Sequence, residues 1–213
     1  MGYAGPMPTS SDSIKRSFDE ALREYGAEED APAREQLEAQ LWETYGRRCA
    51  VFISDLSGFS RLTEKYSIIH FLAMIQRCRT LLVPVIEAAG GALIKTTADN
   101  VYATFPTAEA AIEASLEGQR VLARDNAGRH PDWQIGLCVG VGYGEILVLA
   151  NEDFFGHQLN LAFKLGEDIA AAGEVLVTAE ALEAAGAGRY PHEARNVLCS
   201  GISIAHAALR YEL

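Results

Sequence analysis

The stretch Cys-Ala-Val-Phe-Ile-Ser-Asp-Leu-Ser-Gly-Phe, residues 49–59, decides how the rest of the chain is interpreted. Its first six residues are small or apolar and include strong β-formers, which predicts a buried strand that ends at Asp55. A turn of small residues follows, and a helix is expected to begin at Ser60. This arrangement predicts a carboxylate and free backbone N–H groups at one place, which suits a metal-bound phosphate. The alternative is that Asp55 caps the following turn.

Strand and helix patterns alternate along the chain after this stretch. Apolar residues at helical spacing predict a helix over 67–89, interrupted by Pro84, and strands over 92–97 and 101–105 predict a hairpin. The other predicted elements are a helix after Thr107, a strand pair over 133–141 and 145–149 joined through Gly142 and Gly144, a helix over 156–170, a strand over 175–177, a helix over 179–185 and closing strands within 196–213. The order β-α-β-β-α-β-β-α-β predicts an α+β domain of ferredoxin-like βαββαβ type, with an antiparallel or mixed sheet and helices on one face.

The 213 residues, 23.0 kDa in mass, fit one large domain with a short appendage. Residues 1–12 are interpreted as a disordered tail, and residues 13–46 as a helical arm of two short amphipathic helices. The arm is too short to be an independent domain, so it is expected to face a partner or to pack on the body. Residues 47–213 are interpreted as the main domain.

Composition excludes several classes of function. The chain has 18 basic and 29 acidic residues, and its net charge of −11 repels nucleic-acid polymers and anionic membrane surfaces. No apolar run approaches the about 18 residues of a membrane span, and the first residues lack the features of a signal peptide. The four cysteines form no CxxC pair and are expected to be buried, reduced thiols. We therefore expect a cytoplasmic protein.

Two further segments carry polar residues that suit phosphate chemistry. Asp99 lies at the tip of the predicted hairpin, where aspartate is common for structural reasons alone. If the strand of Asp55 pairs beside the hairpin, the two carboxylates can hold two divalent ions about 3.5–4 Å apart, and Mg²⁺ is favoured by hard oxygen ligands. Asn160 and Lys164 share one helical face and could bind a ribose and a phosphate; alternatively, Lys164 pairs with Asp168 on a solvated face.

These three segments, in this order and spacing, resemble the motifs of the class III nucleotidyl cyclase catalytic domain, the family of adenylate and guanylate cyclases. Phe-x-x-Asp-Leu-x-Gly-Phe, residues 52–59, resembles the first metal motif, and Lys-x-x-Ala-Asp, residues 95–99, resembles the family's Lys-x-x-Gly-Asp hairpin. Asp-x-x-Gly-x-x-x-Asn-x-Ala-x-Lys, residues 153–164, resembles the third motif. The resemblance covers about residues 49–185.

The resemblance implies a metal site formed by Asp55, Leu56 and Asp99, with two Mg²⁺ or Mn²⁺ ions per site. It also implies that backbone N–H groups near Gly58 and Phe59 hold the substrate phosphates.

The resemblance further implies that Lys95 and Asp153 bind the base. Because the ammonium donates to adenine N1 and the carboxylate accepts from its amine, this pair favours ATP over GTP. Cytosine offers a similar edge and is harder to exclude. Asn160 would orient the ribose, and Lys164 would neutralise charge on the α-phosphate.

The implied protein is an adenylate cyclase, a phosphorus–oxygen lyase that makes 3′,5′-cyclic AMP and pyrophosphate in a head-to-tail homodimer with interfacial sites. Three residues depart from the pattern: Ala98 replaces a glycine, Lys164 an arginine and Glu174 a polyphosphate-binding lysine. Ala98 is costly if its φ is positive, although Asp99 and Asn100 could adopt the positive angles instead. The alternative function is a weak or inactive homologue that acts as a nucleotide-binding regulatory or dimerisation module, or a cyclase that uses another nucleotide.

Overall fold

The structure is a computed structural model that describes residues 11–58, 63–149 and 153–213. The greater part of the predicted tail, and both Phe59 and Ser60, lie outside the described residues.

The described chain begins with two helices and continues as alternating strands and helices. The elements are α1 (Ser11–Ala27), α2 (Ala31–Tyr45), β1 (Gly46–Leu56), α3 (Ile68–Ala88), β2 (Ala92–Thr97), β3 (Asn100–Phe105), α4 (Ala108–Asn126), β4 (Leu137–Leu149), β5 (Asp153–Phe155), α5 (His157–Phe163), β6 (Val175–Thr178), α6 (Ala179–Ala185), β7 (His192–Cys199) and β8 (Ile202–Leu209). A π-helical turn, Lys164–Ile169, continues α5. Short 3₁₀ turns occupy Pro131–Trp133 and Ala187–Arg189.

The described strands form an eight-stranded sheet at the centre of the body. Its strand order is β2-β3-β1-β4-β6-β8-β7, and β5 pairs with β4. The first four strands in this order are antiparallel neighbours, and β6 is parallel to β4, so the sheet is mixed. This topology confirms the predicted α+β domain of ferredoxin-like βαββαβ type with a short helical arm.

The prediction that helices cover one face of the sheet is wrong. Side chains of β1 alternate in direction, and Phe52 joins the large core formed with α3 and α4, whereas Val51 and Ile53 join a second core with α5. β1 is therefore buried on both faces, which explains why residues 49–54 form a continuous apolar run.

The predicted break at Gly142 and Gly144 is also wrong, because β4 is one continuous strand whose residues 137–147 pair with β1. The glycines allow close approach of α5. A Cβ atom at Gly140 would lie 2.0 Å from the Ala162 carbonyl oxygen, and one at Gly142 would lie 2.6 Å from the Gln158 carbonyl oxygen. Glycine on this face of β4 therefore places α5 directly against the sheet.

The helical arm packs on the body. Phe18 of α1 is buried and meets Tyr45 of α2 edge-on, with ring centroids 5.0 Å apart. The same ring stacks on Phe155 of β5 at 6.0 Å, and Leu149 of β4 completes the cluster. Of the two expected roles for the arm, the structure shows packing on the body.

The expectation that no apolar segment approaches the length of a membrane span is wrong for α3. By length and composition it could cross a membrane, with a mean hydropathy of 1.4. Its buried residues, including Phe71, Met74 and Leu82, pack in the core against the sheet and α4. The helix therefore packs on the domain through one apolar face, and 28% of its apolar window is buried.

Cys49, Cys78 and Cys138 are buried free thiols, as predicted. Burial raises their pKa values to about 11, 12 and 12. Cys199 at the end of β7 is only partly buried, so the prediction is wrong for this residue.

Candidate active site

The two predicted metal residues lie beside one cleft. β3 pairs with β1, with Val101 opposite Ser54, and this register brings the β2–β3 turn next to the end of β1. The cleft has a volume of about 400 Å³, and Asp55, Leu56 and Asp99 contribute to its lining. The structure therefore brings together all three residues of the predicted metal site.

Burial and the proximity of other carboxylates both affect the electrostatics of this cleft. Partial burial and then the neighbouring negative charge of Asp99 raise the pKa of Asp55 to about 7, and Glu167 adds to the effect. Both effects disfavour the ionised form of Asp55 when no metal is bound, and the positive charge of a bound cation would compensate for both.

The turn that carries Asp99 is strained. Ala98 has φ 49°, and only one other non-glycine residue among those described has a positive φ. Asp99 and Asn100 therefore do not take over the positive angle. An Arg79 guanidinium on α3 donates to the Ala98 carbonyl oxygen and holds the turn against the helix.

Glu167 is a residue of the cleft that sequence reasoning missed. Its Oε2 accepts a hydrogen bond of 3.1 Å from Asn100 Nδ2, which also donates to the Tyr102 hydroxyl at 3.1 Å. Burial raises the pKa of Glu167, and the negative charges of Asp168 and Asp99 act in the same direction. The π-helical turn, a feature often found at functional sites, carries this residue, and the sequence pattern gives no signal for such a turn.

The residues of the cleft fit a hard divalent cation. Asp55 and Asp99 offer carboxylate oxygens, and Leu56 offers a backbone carbonyl oxygen. Among residues 11–58, 63–149 and 153–213, no group of three or more His, Cys, Asp or Glu side chains could hold a metal. Two carboxylates with water and substrate phosphates are nevertheless the usual ligands of Mg²⁺.

Lys95 and Asp153 meet in the structure although they are far apart in the sequence. Lys95 Nζ donates to Asp153 Oδ1 at 2.8 Å, and both side chains are about one-third exposed. The ammonium lies 5.6 Å from the centroid of the Tyr102 ring, which meets the Phe154 ring edge-on. Asp153 begins β5, a short strand that the sequence did not predict, and pairing of β5 with β4 brings it to this position.

Asn160 and Lys164 do not line the cleft that contains Asp55 and Asp99. Asn160 is exposed on α5, and Lys164 Nζ donates to Ser200 Oγ at 3.0 Å. Asp168 Oδ2 lies 3.9 Å from this ammonium, so the pairing expected from the i, i+4 spacing is present but long. From the described part of α5 and its π-helical turn, the cleft is lined by Phe163 and Glu167 and not by Asn160 or Lys164.

The remaining predicted residues have distinct environments. Gly58 has φ 93°, a conformation that favours glycine in the turn after β1. Glu174 is a structural acceptor that binds the Ala171 N–H at 2.9 Å and Arg195 Nη1 at 2.8 Å. Burial opposes its ionisation, but these hydrogen bonds together with the positive charge of Arg195 outweigh burial and lower the pKa of Glu174.

Several known proteins similar to this chain are named as nucleotide cyclases. No family model matches the chain. An adenylate cyclase of Streptomyces coelicolor is 33% identical over 135 residues, which are 63% of this chain and 33% of that protein. The chain spans between about a fifth and two-fifths of the length of the curated relatives it matches.

Solved structures give the same result. An adenylate/guanylate cyclase/hydrolase from Silicibacter pomeroyi superposes with a TM-score of 0.69 at 27% identity, covering 78% of this chain and 98% of that one. The fold is also that of an adenylyl cyclase from P. aeruginosa, with a TM-score of 0.62 at 18% identity over 79% of this chain and 97% of that one. In sequence and in fold, the chain is therefore similar to the domains of class III adenylate and guanylate cyclases.

Proposed function

We propose that this chain is a cytoplasmic adenylate cyclase that converts ATP to 3′,5′-cyclic AMP and pyrophosphate, with its active sites at the interface of a head-to-tail homodimer. The observation that carries the proposal is the meeting of Asp55 and Asp99 in one cleft, with the pKa of Asp55 raised by burial and by its neighbour. Two carboxylates held this close form a site that favours cations.

The cleft would hold two Mg²⁺ or Mn²⁺ ions through Asp55, Asp99 and the Leu56 carbonyl. When bound, these ions supply charge neutralisation and activation for attack of the ribose 3′-oxygen on the α-phosphorus, with pyrophosphate as the leaving group. N–H groups of the turn at Gly58 and Phe59 would hold the phosphates.

The Lys95–Asp153 pair supports recognition of adenine. The ammonium would donate to adenine N1, and the carboxylate would accept from the exocyclic amine. Their salt bridge places both groups side by side before the base arrives. Guanine presents the opposite polarity at these positions, so this pair favours ATP.

One chain would supply Asp55 and Asp99, and the second chain would supply Lys95 and Asp153 together with Asn160 and Lys164. Asn160 would orient the ribose, and the Lys164 ammonium would neutralise charge that develops on the α-phosphate. Their absence from the lining of the described cleft is consistent with a site shared between two copies.

An assay of cyclic nucleotide formation with purified protein, Mn²⁺ and each of the four nucleoside triphosphates tests the activity and the choice of base. We expect cyclic AMP from ATP. Asp55→Ala and Asp99→Ala should each abolish the activity, whereas Asp19→Ala, which removes an exposed carboxylate on α1, should not. More than a few per cent of wild-type turnover in either variant of the cleft would contradict the metal assignment.

Two further experiments test the base and the dimer. The double variant Lys95→Glu, Asp153→Cys should lower ATP use and raise GTP use, and an unchanged nucleotide profile would contradict base reading by this pair. Asp55→Ala chains mixed with Lys95→Ala chains should regain activity, because each heterodimer has one intact site. Continued inactivity despite demonstrated subunit exchange would contradict interfacial sites.

One observation favours a regulatory homologue as the second candidate. The ammonium of Lys164, which replaces the family's arginine, already has partners within its own chain. Tight nucleotide binding without turnover for any of the four triphosphates would support this second candidate.

A further inference from the structure

The turn between β7 and β8 has an unusual residue at its first position. Cys199 pairs with Ile202, so Ser200 and Gly201 form a two-residue hairpin connection with φ values of 50° and 78°. Turns with two positive φ angles favour Asn-Gly, Asp-Gly or Gly-Gly, and a serine at the first position is strained. The hairpin itself has no need of a serine here.

The Ser200 hydroxyl has a specific partner outside the hairpin. Ser200 Oγ lies 3.0 Å from Nζ of Lys164, which is 36 residues earlier in the chain. Cys199 Sγ and Asp168 Oδ2 both lie 3.9 Å from the same ammonium. The Lys164 side chain is only 20% exposed, and its ammonium contacts these three groups.

Lysine needs such support more than arginine does. Its ammonium is a point charge on a flexible four-carbon stem, whereas the guanidinium is a rigid planar fork. A cation that must meet a phosphate at a fixed position acts well only if neighbouring groups hold it there. Strain retained at one residue is also typical of functional sites.

We propose that Ser200 is a positioning residue that fixes the Lys164 ammonium for the cyclase reaction. This inference rests on the proposed function. The strained serine is kept for its hydroxyl, and the β7–β8 turn thereby supplies the rigidity that the change from arginine to lysine removes.

Ser200→Gly separates this role from a structural one. Glycine relieves the positive-φ strain and removes the hydroxyl, so the variant should melt at the wild-type temperature or above it. Its kcat should nevertheless fall about tenfold, the effect of losing one hydrogen bond to a charged group, with a smaller change in KM. Ser200→Asn, which tolerates the turn and keeps an acceptor, should recover part of the kcat. Ser203→Ala removes a hydroxyl that donates to Asn196 on the same hairpin and should leave kcat unchanged.

A readout independent of turnover is the rate at which an acetylating reagent modifies Lys164, followed by mass spectrometry of its peptide. Modification should be several-fold faster in Ser200→Gly than in wild type or Ser203→Ala. If wild type is active but Ser200→Gly keeps both its kcat and its Lys164 reactivity, the positioning role is overturned and the cyclase assignment stands. If wild type makes no cyclic nucleotide, or if Lys164→Ala is as active as wild type, the catalytic premise and the positioning role fall together.

Discussion

Replacing Ala98 with glycine is predicted to stabilise the protein. Ala98 has φ 49°, and a left-handed conformation costs a residue with a Cβ atom about 1–2 kcal/mol. Glycine avoids this cost, but it loses about 0.4–1 kcal/mol because its unfolded chain has more freedom. The expected net gain in the free energy of unfolding is therefore about 0.5–1 kcal/mol. The hydrogen bond from Arg79 is to the Ala98 backbone carbonyl, so the substitution retains it.

Ala127→Gly is the matched control. Ala127 is also an exposed alanine outside a helix or strand, but its φ is −60°, so glycine should destabilise the protein there by about 0.4–1 kcal/mol. The two variants differ by the strain at Ala98, about 1–2 kcal/mol, and urea denaturation at one pH measures both. An equal loss of stability in the two variants would refute strain at Ala98.

Three other predictions concern the cleft, the sheet and the arm. In metal-free protein, Asp55→Asn should raise stability at pH 8 by about 1 kcal/mol, after allowance for solvent screening, with little gain at pH 4. The pKa of Asp55 is about 7 in the folded protein and about 3.9 in the unfolded chain, so the free energy of unfolding of the wild type falls as the pH rises between these values. If the urea midpoints of Asp55→Asn and wild type depend on pH in the same way, this prediction is contradicted. Gly140→Ala should lower the free energy of unfolding by about 1–3 kcal/mol, because the added Cβ clashes with α5. Gly188→Ala is the control and should be nearly neutral, because no atom lies within 4 Å of its added Cβ. Chemical denaturation measures both variants, and equal losses would contradict close packing of α5 on β4. Phe18→Ala should cost about 3 kcal/mol if the arm unfolds with the body, and an early separate transition in thermal melts would show that it does not.

Local signals in the sequence were sufficient to predict the hairpin and most helices. The β2–β3 turn has turn residues between two runs of β-formers, and Thr107 caps α4 as predicted, its hydroxyl accepting from the Ala110 N–H at 3.1 Å. Gly142 and Gly144 misled the prediction because glycine marks both turns and close backbone approach, and the difference lies in α5, which is distant in sequence.

Contacts between distant residues could not be predicted from local patterns. The Lys95–Asp153 salt bridge depends on pairing of β5 with β4, and β5 has only three residues. Glu167 reaches the cleft from a π-helical turn, whose departure from the α-helical period leaves no trace in residue spacing. The hydrogen bond between Lys164 and Ser200 depends on the position of β7 and β8, which lie at one edge of the sheet.

The position of α5 supports a site built from two chains. The helix and its π-helical turn give Phe163 and Glu167 to the acidic cleft, whereas Lys164 contacts the β7–β8 turn. Rotation of α5 to bring Lys164 into its own cleft is opposed by the contact of the Ala162 carbonyl with Gly140, which leaves no space even for a Cβ atom. Because a packed helix of this kind resists rotation, movement within one chain is a poor route to a site that combines the carboxylates with the ammonium, and this favours the proposal that a second copy of the chain supplies Lys164.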